Sequence, residues 1–396
     1  MKTHTSATST AASLKAATSS AAQPSLAERQ MAMKSPLDYF SAIEDPRVER
    51  TRAHLLEDII FITIAAVICG ADDWNDIENY GKAKLPWLSK YLKLPNGIPS
   101  HDTFNRFFSA LDPKQMENAF LQWVSEVAKL SKGEVVSIDG KSLRATKSKD
   151  GKRIVHMVSA WASANKLSLG QVKVEEKSNE ITAIPRLLEV LALSGCIVTI
   201  DAMGCQTDIA AKIKEKGADY ILAVKGNQGR LEEDARRVVS RTVAASETTQ
   251  SERGHGRVET RKCPVYYDLG LMETAGRWAG LGSVIKIEST RYVEATGKLE
   301  QETRLYISSL KQDADAMAGH IRAHWGIENS LHWVLDVAFG EDASRKRAGH
   351  AAHNYAILNR IALNLIKHEQ SKKRSVKGKR LDAGWDNDYL LKILLN

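Results

Sequence analysis

Three acidic residues could together hold divalent cations: Asp139, Asp201 and Glu328. The two aspartates end short β-branched runs, Glu134-Val-Val-Ser-Ile-Asp139 and Gly195-Cys-Ile-Val-Thr-Ile-Asp201. Runs of this kind, bounded by turn residues, read as buried strands, and a carboxylate at the end of one stands at the rim of a sheet. Glu328 lies in a helical pattern in which Ile321, Trp325, Glu328, His332 and Leu335 share one face by spacings of three and four. The spacing predicts Glu328 in the middle of an inward stripe, where a charge is costly unless it is paired or binds a metal. Two strand-end aspartates facing a helical glutamate offer hard oxygen ligands for two Mg2+ ions, with Mn2+ as the alternative. Such a pair of ions serves phosphoryl transfer. Other readings stand beside this one. A strand-end aspartate commonly caps the turn that follows, Glu328 could pair with Arg322 or His324, and Asp336, Glu341 and Asp342 are rival third ligands.

The elements that must position these acids follow a regular order. Strands are predicted at 134–139, 153–161 and 167–175, then a helix at 180–193 capped by Ser178 or Asn179, a strand at 196–200, a helix at 205–216 and a strand at 219–224. The order β-β-β-α-β-α-β is that of an RNase H-like α/β fold: antiparallel strands open a mixed sheet, flanking helices make the crossovers, and parallel strands extend it. In such a sheet the ends of the first and fourth strands are neighbours, so Asp139 and Asp201 meet. The expected catalytic core covers 131–229 and resumes at 311–368 with the glutamate helix. Between them, 230–310 reads as an inserted, partly β subdomain. It has a charged helix from Leu231, a polar loop-like stretch from Ser246 to Gly256, strands at 257–266, 283–293 and 302–308, and a hairpin turn at Thr296-Gly297. Residues 31–130 predict an N-terminal helical domain around the apolar segment Leu55–Ile68. Its Lys82, Lys84, Lys90 and Arg106 suit either DNA or an ordinary solvated face. Residues 1–30 read as a disordered leader and 369–396 as a basic tail.

Bulk properties narrow the classes. The chain has 396 residues and a formal net charge of +8, which favours a polyanionic partner. Four cysteines without a CxxC pair suggest a reducing compartment and no zinc site. The strongest apolar run, Ile59–Cys69, has eleven residues; a membrane span needs roughly 20. The expectation is a cytoplasmic, nucleoid-associated protein with no membrane partner.

Several long segments resemble the DDE transposases of bacterial insertion sequences, in their H-repeat-associated group. They are Gly97-Ile-Pro-Ser-His-Asp-Thr-Phe-Asn-Arg106, Ser137-Ile-Asp-Gly-Lys-Ser-Leu-Arg144, Thr199-Ile-Asp-Ala-Met-Gly-Cys-Gln206, Leu222-Ala-Val-Lys-Gly-Asn-Gln228 and His324-Trp-Gly-Ile-Glu-Asn-Ser-Leu-His-Trp333. The resemblance implies an RNase H-like core with a β-rich insertion before the catalytic glutamate, DNA cleavage and strand transfer, and Asp139, Asp201 and Glu328 as the catalytic, metal-binding triad. The implied partners are the element's terminal repeats and target DNA. A homodimer on DNA is expected because two ends must be brought together. Lys141, Arg144, Lys225, Asn227 and Gln228 follow predicted strands on the side of the acids. With Arg322 and His324 on the glutamate helix, they are the DNA-contact candidates, each with an ordinary loop or surface role as the alternative. His332 and Trp333 read as core packing. The wider insertion-sequence class carries Tyr, Arg and Lys where this chain has Ile321, His324 and Leu335. The handling of the DNA end, including any hairpin intermediate, is therefore not implied, whereas the metal ligands are. Two further readings remain: a nuclease of this fold that cuts without joining, and a transposase-derived DNA-binding protein that no longer cuts.

Overall fold

A helix without a polar face organises the N-terminal part of the chain. The computed structural model describes residues 36–395, apart from 129, 147–154, 176–177 and 255; the leader expected over 1–30 lies outside the described residues. Helices α1 (Pro36–Phe40), α2 (Leu56–Ile68), α3 (Trp74–Leu88), α4 (His101–Ala110) and α5 (Pro113–Val127) come first. In α2 only Glu57 escapes burial, as expected of a helix apolar on all sides. Side-chain caps start the next three: a reciprocal Asp73–Asp76 box on α3, Ser100 on α4 and Asp112 on α5.

The sheet follows. Strands β1 (Val135–Leu143), β2 (Val155–Ala162) and β3 (Leu167–Lys173) lead through α6 (Glu180–Val190) to β4 (Ile197–Ile200), and through α7 (Thr207–Glu215) to β5 (Asp219–Val224). After α8 (Gly229–Arg241) come β6 (Ser246–Gly254), β7 (Arg257–Tyr266), β8 (Ser283–Val293) and β9 (Lys298–Ser308). All nine strands form one sheet in the order β3-β2-β1-β4-β5-β9-β8-β7-β6. The β1–β4 and β4–β5 pairs are parallel, and β5–β9 returns to antiparallel pairing. The strands of 230–310 thus lengthen the core sheet from its β5 edge.

The last part of the chain is helical. A long helix is divided into α9 (Ala314–Ile327), a π-helical turn over Glu328–His332, and α10 (Trp333–Phe339). It is followed by α11 (Ala351–His368), α12 (Val376–Trp385) and α13 (Asn387–Leu394). One apolar cluster joins α2, α4, α5, one face of the sheet, α11 and α13, while α9 covers the other face around Val135, Ile197 and Ile221. Among the described residues, no helix is long and apolar enough to cross a membrane.

Four expectations are corrected. Strand β1 continues past Asp139 to Leu143 because β2 pairs with it along that whole length. The stretch from Ser246, read as a loop for want of apolar residues, is strand β6. Full-length pairing with β7 holds it, together with the Lys262–Glu247 ion pair at 3.0 Å and a Ser251–Thr260 hydroxyl contact at 2.7 Å. The tail over 369–396 is a packed pair of helices: Ala383, Leu390 and Ile393 are fully buried. Two of its basic residues are internal partners, with Arg380 donating to Val67 O at 2.8 Å and Lys379 to Ile366 O at 3.2 Å. Finally, the π turn inserts a residue into the helical phase. The inward set is Met317 and Ile321 before it, then Ile327, Leu331 and Leu335. The predicted stripe is thus only partly buried: Ile321, His332 and Leu335 are buried, Trp325 and Glu328 stand at the cavity with 60% of the Glu328 side chain exposed, and Trp333, expected in the core, is exposed.

Candidate active site

Strand register brings the two aspartates together. Ile138 of β1 pairs with Ile200 of β4, so Asp139 and Asp201 stand level on neighbouring parallel strands, which are about 4.8 Å apart. Side chains alternate along a strand. Val136, Ile138, Val198 and Ile200 face the large cluster, whereas Val135 and Ile197 face α9. Asp139 and Asp201 continue that second set and point toward the helix that carries Glu328. All three acids line one cavity of about 630 Å³, with Lys225, Arg236, Arg304 and Trp325 on its walls.

Burial and like charge disfavour ionisation of the two aspartates. Burial, then the nearby charges of Asp201, Glu180 and Glu328, raise the Asp139 carboxyl from 3.8 to about 7 against the opposing Gly140 N–H. Burial and Glu180 also raise Asp201, opposed by the Gly204 and Met203 amides and by Lys225. Those amides donate to Asp201 Oδ1 at 3.0 Å from Met203 and 3.5 Å from Gly204. The capping role foreseen for a strand-end aspartate is thus present, and the carboxylate still lines the cavity. Glu180 starts α6 and accepts a hydrogen bond from His156 Nε2 at 2.7 Å. Both lie over Gly140, where a Cβ would displace the Glu180–His156 pair.

The tightest ligand group includes a residue that the sequence reading assigned to packing. Donor atoms of Asp139, Glu328 and His332 all lie within 4.8 Å of one another. His332 Nδ1 is 3.5 Å from Asp139 Oδ2 and 3.2 Å from Glu328 Oε2. The ring is 3% exposed. Burial, with the Arg360 and Lys141 charges adding, pushes its pKa down to about 3, so it is neutral at pH 7. The i, i+4 spacing of Glu328 and His332 was the available signal, but spacing does not say which ring nitrogen faces the acids. Two carboxylates with a neutral imidazole fit a divalent cation, as does the crowding of negative charge around Asp139. A layer beneath supports them: Ser159 is opposite Asp139 on β2, Arg360 Nη2 lies 3.4 Å from Ser159 Oγ, and Arg360 is paired with Glu341 at 2.8 Å.

The DNA-contact candidates separate into two groups. Lys225 lines the cavity, and Arg144 is exposed beside Asp342 at 3.4 Å. The others have internal partners. Lys141 is buried and bonds Asp336 at 2.5 Å. Asn227 and Gln228 tie their loop to Ala202 O and Cys205 O at 2.7 and 2.9 Å. Arg322 pairs with Glu252 of β6 at 2.7 Å. His324 is held 2.9 Å from Thr199 Oγ1, and burial lowers its pKa to about 4. It links α9 to β4 and also lines the cavity. Arg236 and Arg304 line the cavity but lie outside every motif, and each is paired with a neighbouring acid, Glu232 at 2.6 Å and Glu302 at 2.7 Å. The Arg304 guanidinium lies 4.7 Å over the Trp325 ring.

Comparison with known proteins agrees with this architecture. Residues 130–365 match the family described as Transposase DDE domain, and residues 37–124 match the DDE_Tnp_1-associated family. The "Putative transposase YncI" of Escherichia coli O157:H7 is 45% identical over 378 residues, 92% of this chain and 95% of the relative. The "H repeat-associated putative transposase YhhI" of Escherichia coli strain K12 is 39% identical over 374 residues, 92% of this chain and 98% of the relative. Among solved structures, the piggyBac transposase in a synaptic complex with hairpin DNA aligns with 92% of this chain and 77% of its own, at 13% identity and a TM-score of 0.38. With a matched family spanning more than half of its length and relatives similar almost end to end, the chain belongs to the DDE transposase family, in its H repeat-associated group.

Proposed function

We propose that this transposase cleaves DNA at the ends of an insertion sequence and joins the freed 3′ ends to target DNA, with Asp139, Asp201 and Glu328 as its catalytic acids. The carrying observation is that these three carboxylates, far apart in sequence, line one cavity with Lys225, Arg236 and Arg304 on its walls. Divalent cations, Mg2+ in the cell, would supply nucleophile activation and neutralisation of the developing charge. The protein's own part is to hold the scissile phosphate among fixed carboxylates. Lys225, Arg236 and Arg304 engage flanking phosphates, and the exposed Trp325 offers a face for a base. The chain then comprises an N-terminal helical region at 31–130, a core at 131–229 and 311–368, and a β-rich extension at 230–310. The reaction takes place on the bacterial nucleoid, where a dimer pairs two element ends.

Strand transfer in Mg2+ tests this, using purified protein, a labelled duplex taken from the DNA flanking the gene, and a supercoiled target plasmid. Joined product from the wild type and none from Asp139→Asn is the expected outcome. Cleavage without joining would make the protein a nuclease. DNA binding with neither reaction would make it a transposase-derived binding protein.

A further inference from the structure

We propose that His332 is a nitrogen ligand, through Nδ1, to one of the two cations, so that the two metal positions are chemically unequal. One position has Asp139, Glu328 and His332; the other has only the oxygen ligands Asp139 and Asp201. The inference rests on the metal-dependent reading above and deepens it.

Geometry carries the argument. Ligand atoms about 2.1 Å from an octahedral ion lie about 3 Å apart when adjacent. The separations of Nδ1 from Glu328 Oε2 and Asp139 Oδ2, 3.2 and 3.5 Å, suit neighbouring ligands of one ion. Asp201 lies outside this cluster. The π turn brings the histidine there: Glu328 and His332 are the first and last residues of that wider turn, and π turns inside helices recur at functional sites. The ring's own hydrogen bonding points the same way. It is almost fully buried, Nε2 has no partner, and Nδ1 meets only the two carboxylates. A polar ring in that position is poorly satisfied by the protein alone. A cation between Nδ1 and both carboxylates would occupy the nitrogen that faces the acids and leave Nε2 as it is.

A consequence follows for metal choice. Carboxylates hold Mg2+ and Mn2+ alike, whereas a nitrogen ligand adds more to a transition ion such as Mn2+ than to Mg2+. The wild type should bind Mn2+ more tightly than Mg2+. His332→Asn puts an amide oxygen where Nδ1 stands and should narrow that preference, with Mn2+ affinity falling at least ~10-fold. A histidine that merely orients Glu328 would not donate to the metal.

The test is pulsed electron paramagnetic resonance on Mn2+-loaded full-length protein, with calorimetric titration of Mn2+ and Mg2+ in parallel. Histidine nitrogen coupled to Mn2+ in the wild type, changed by 15N-histidine labelling and lost in His332→Asn, supports the proposal. The labelled wild type reads the same bond without any substitution, so a variant that fails to fold does not block the test. Mn2+ bound tightly without histidine coupling, or with coupling that survives in His332→Asn, overturns the proposal and leaves the metal-dependent reading standing. No Mn2+ or Mg2+ binding to the wild type, with or without duplex DNA, overturns both.

Discussion

Replacing Asp139 by Asn should make the metal-free protein more stable while abolishing its proposed chemistry. In the folded chain the Asp139 carboxyl rises from 3.8 to about 7. The folded state therefore holds this proton more tightly than the unfolded chain does, and ionisation works against folding. The sign follows. Below pH 3.8 both states are protonated and the residue costs nothing; the penalty grows as pH climbs toward 7 and is constant above it. At ~1.4 kcal/mol for each pH unit, the full penalty is about 4 kcal/mol, an upper figure because real sites relax. For a chain of this size, with an unfolding entropy of ~2.1 cal/mol/K per residue, that is a rise of about 2–5 °C in the thermal midpoint. The assay is thermal unfolding of wild type and Asp139→Asn in EDTA between pH 5 and pH 8, repeated at pH 8 in saturating Mg2+. Asp139→Asn should gain on the wild type from pH 5 to pH 8 in EDTA, and Mg2+ should close the gap by stabilising the wild type alone. A gap of the same size at both pH values, or a wild type more stable than the variant in EDTA at pH 8, would refute the claim that crowded carboxylates strain this site.

Three further outcomes are expected. Glu328→Gln should abolish plasmid nicking yet shift stability by no more than about 0.5 kcal/mol, because its side chain is 60% exposed; thermal unfolding and a nicking assay read both halves. Arg360→Met should destabilise by about 3–5 kcal/mol, because it leaves the Glu341 carboxylate buried without its 2.8 Å partner, and adding Glu341→Gln should recover much of the loss in denaturant unfolding. Ending the chain after His368 should yield aggregated protein in a solubility and size-exclusion assay, because it strips Ala383, Leu390 and Ile393 from the core; a soluble, monodisperse product with an unchanged midpoint would contradict the packing described for α12 and α13.

Much of the site was legible in the amino-acid order because its signals are local. The β-branched runs before Asp139 and Asp201 mark strands through side-chain shape, and the caps at Asp73, Ser100 and Asn179 act within a few residues. The alternation of strands and helices restricts the sheet to few topologies, and that order already made neighbours of Asp139 and Asp201. Strand β6 escaped notice because hydrophobic periodicity cannot mark a strand whose partners are polar. The C-terminal helices escaped because a basic run looks solvated until a buried carbonyl such as Val67 O is known to need its arginine. What only the tertiary structure decided was which polar groups meet. Lys141, Arg322 and His324 have the residue types for DNA, but each meets a partner on another element: Asp336 for the buried Lys141, Thr199 for His324, and Glu252 for Arg322 in an exposed pair. Glu328 and His332 have the same spacing in an ordinary helix as in a π turn. In the folded chain the glutamate stands half-exposed at the cavity, while the buried histidine faces both acids. Such outcomes depend on long-range packing, because the orientation of a side chain is set by the whole surface it is packed against.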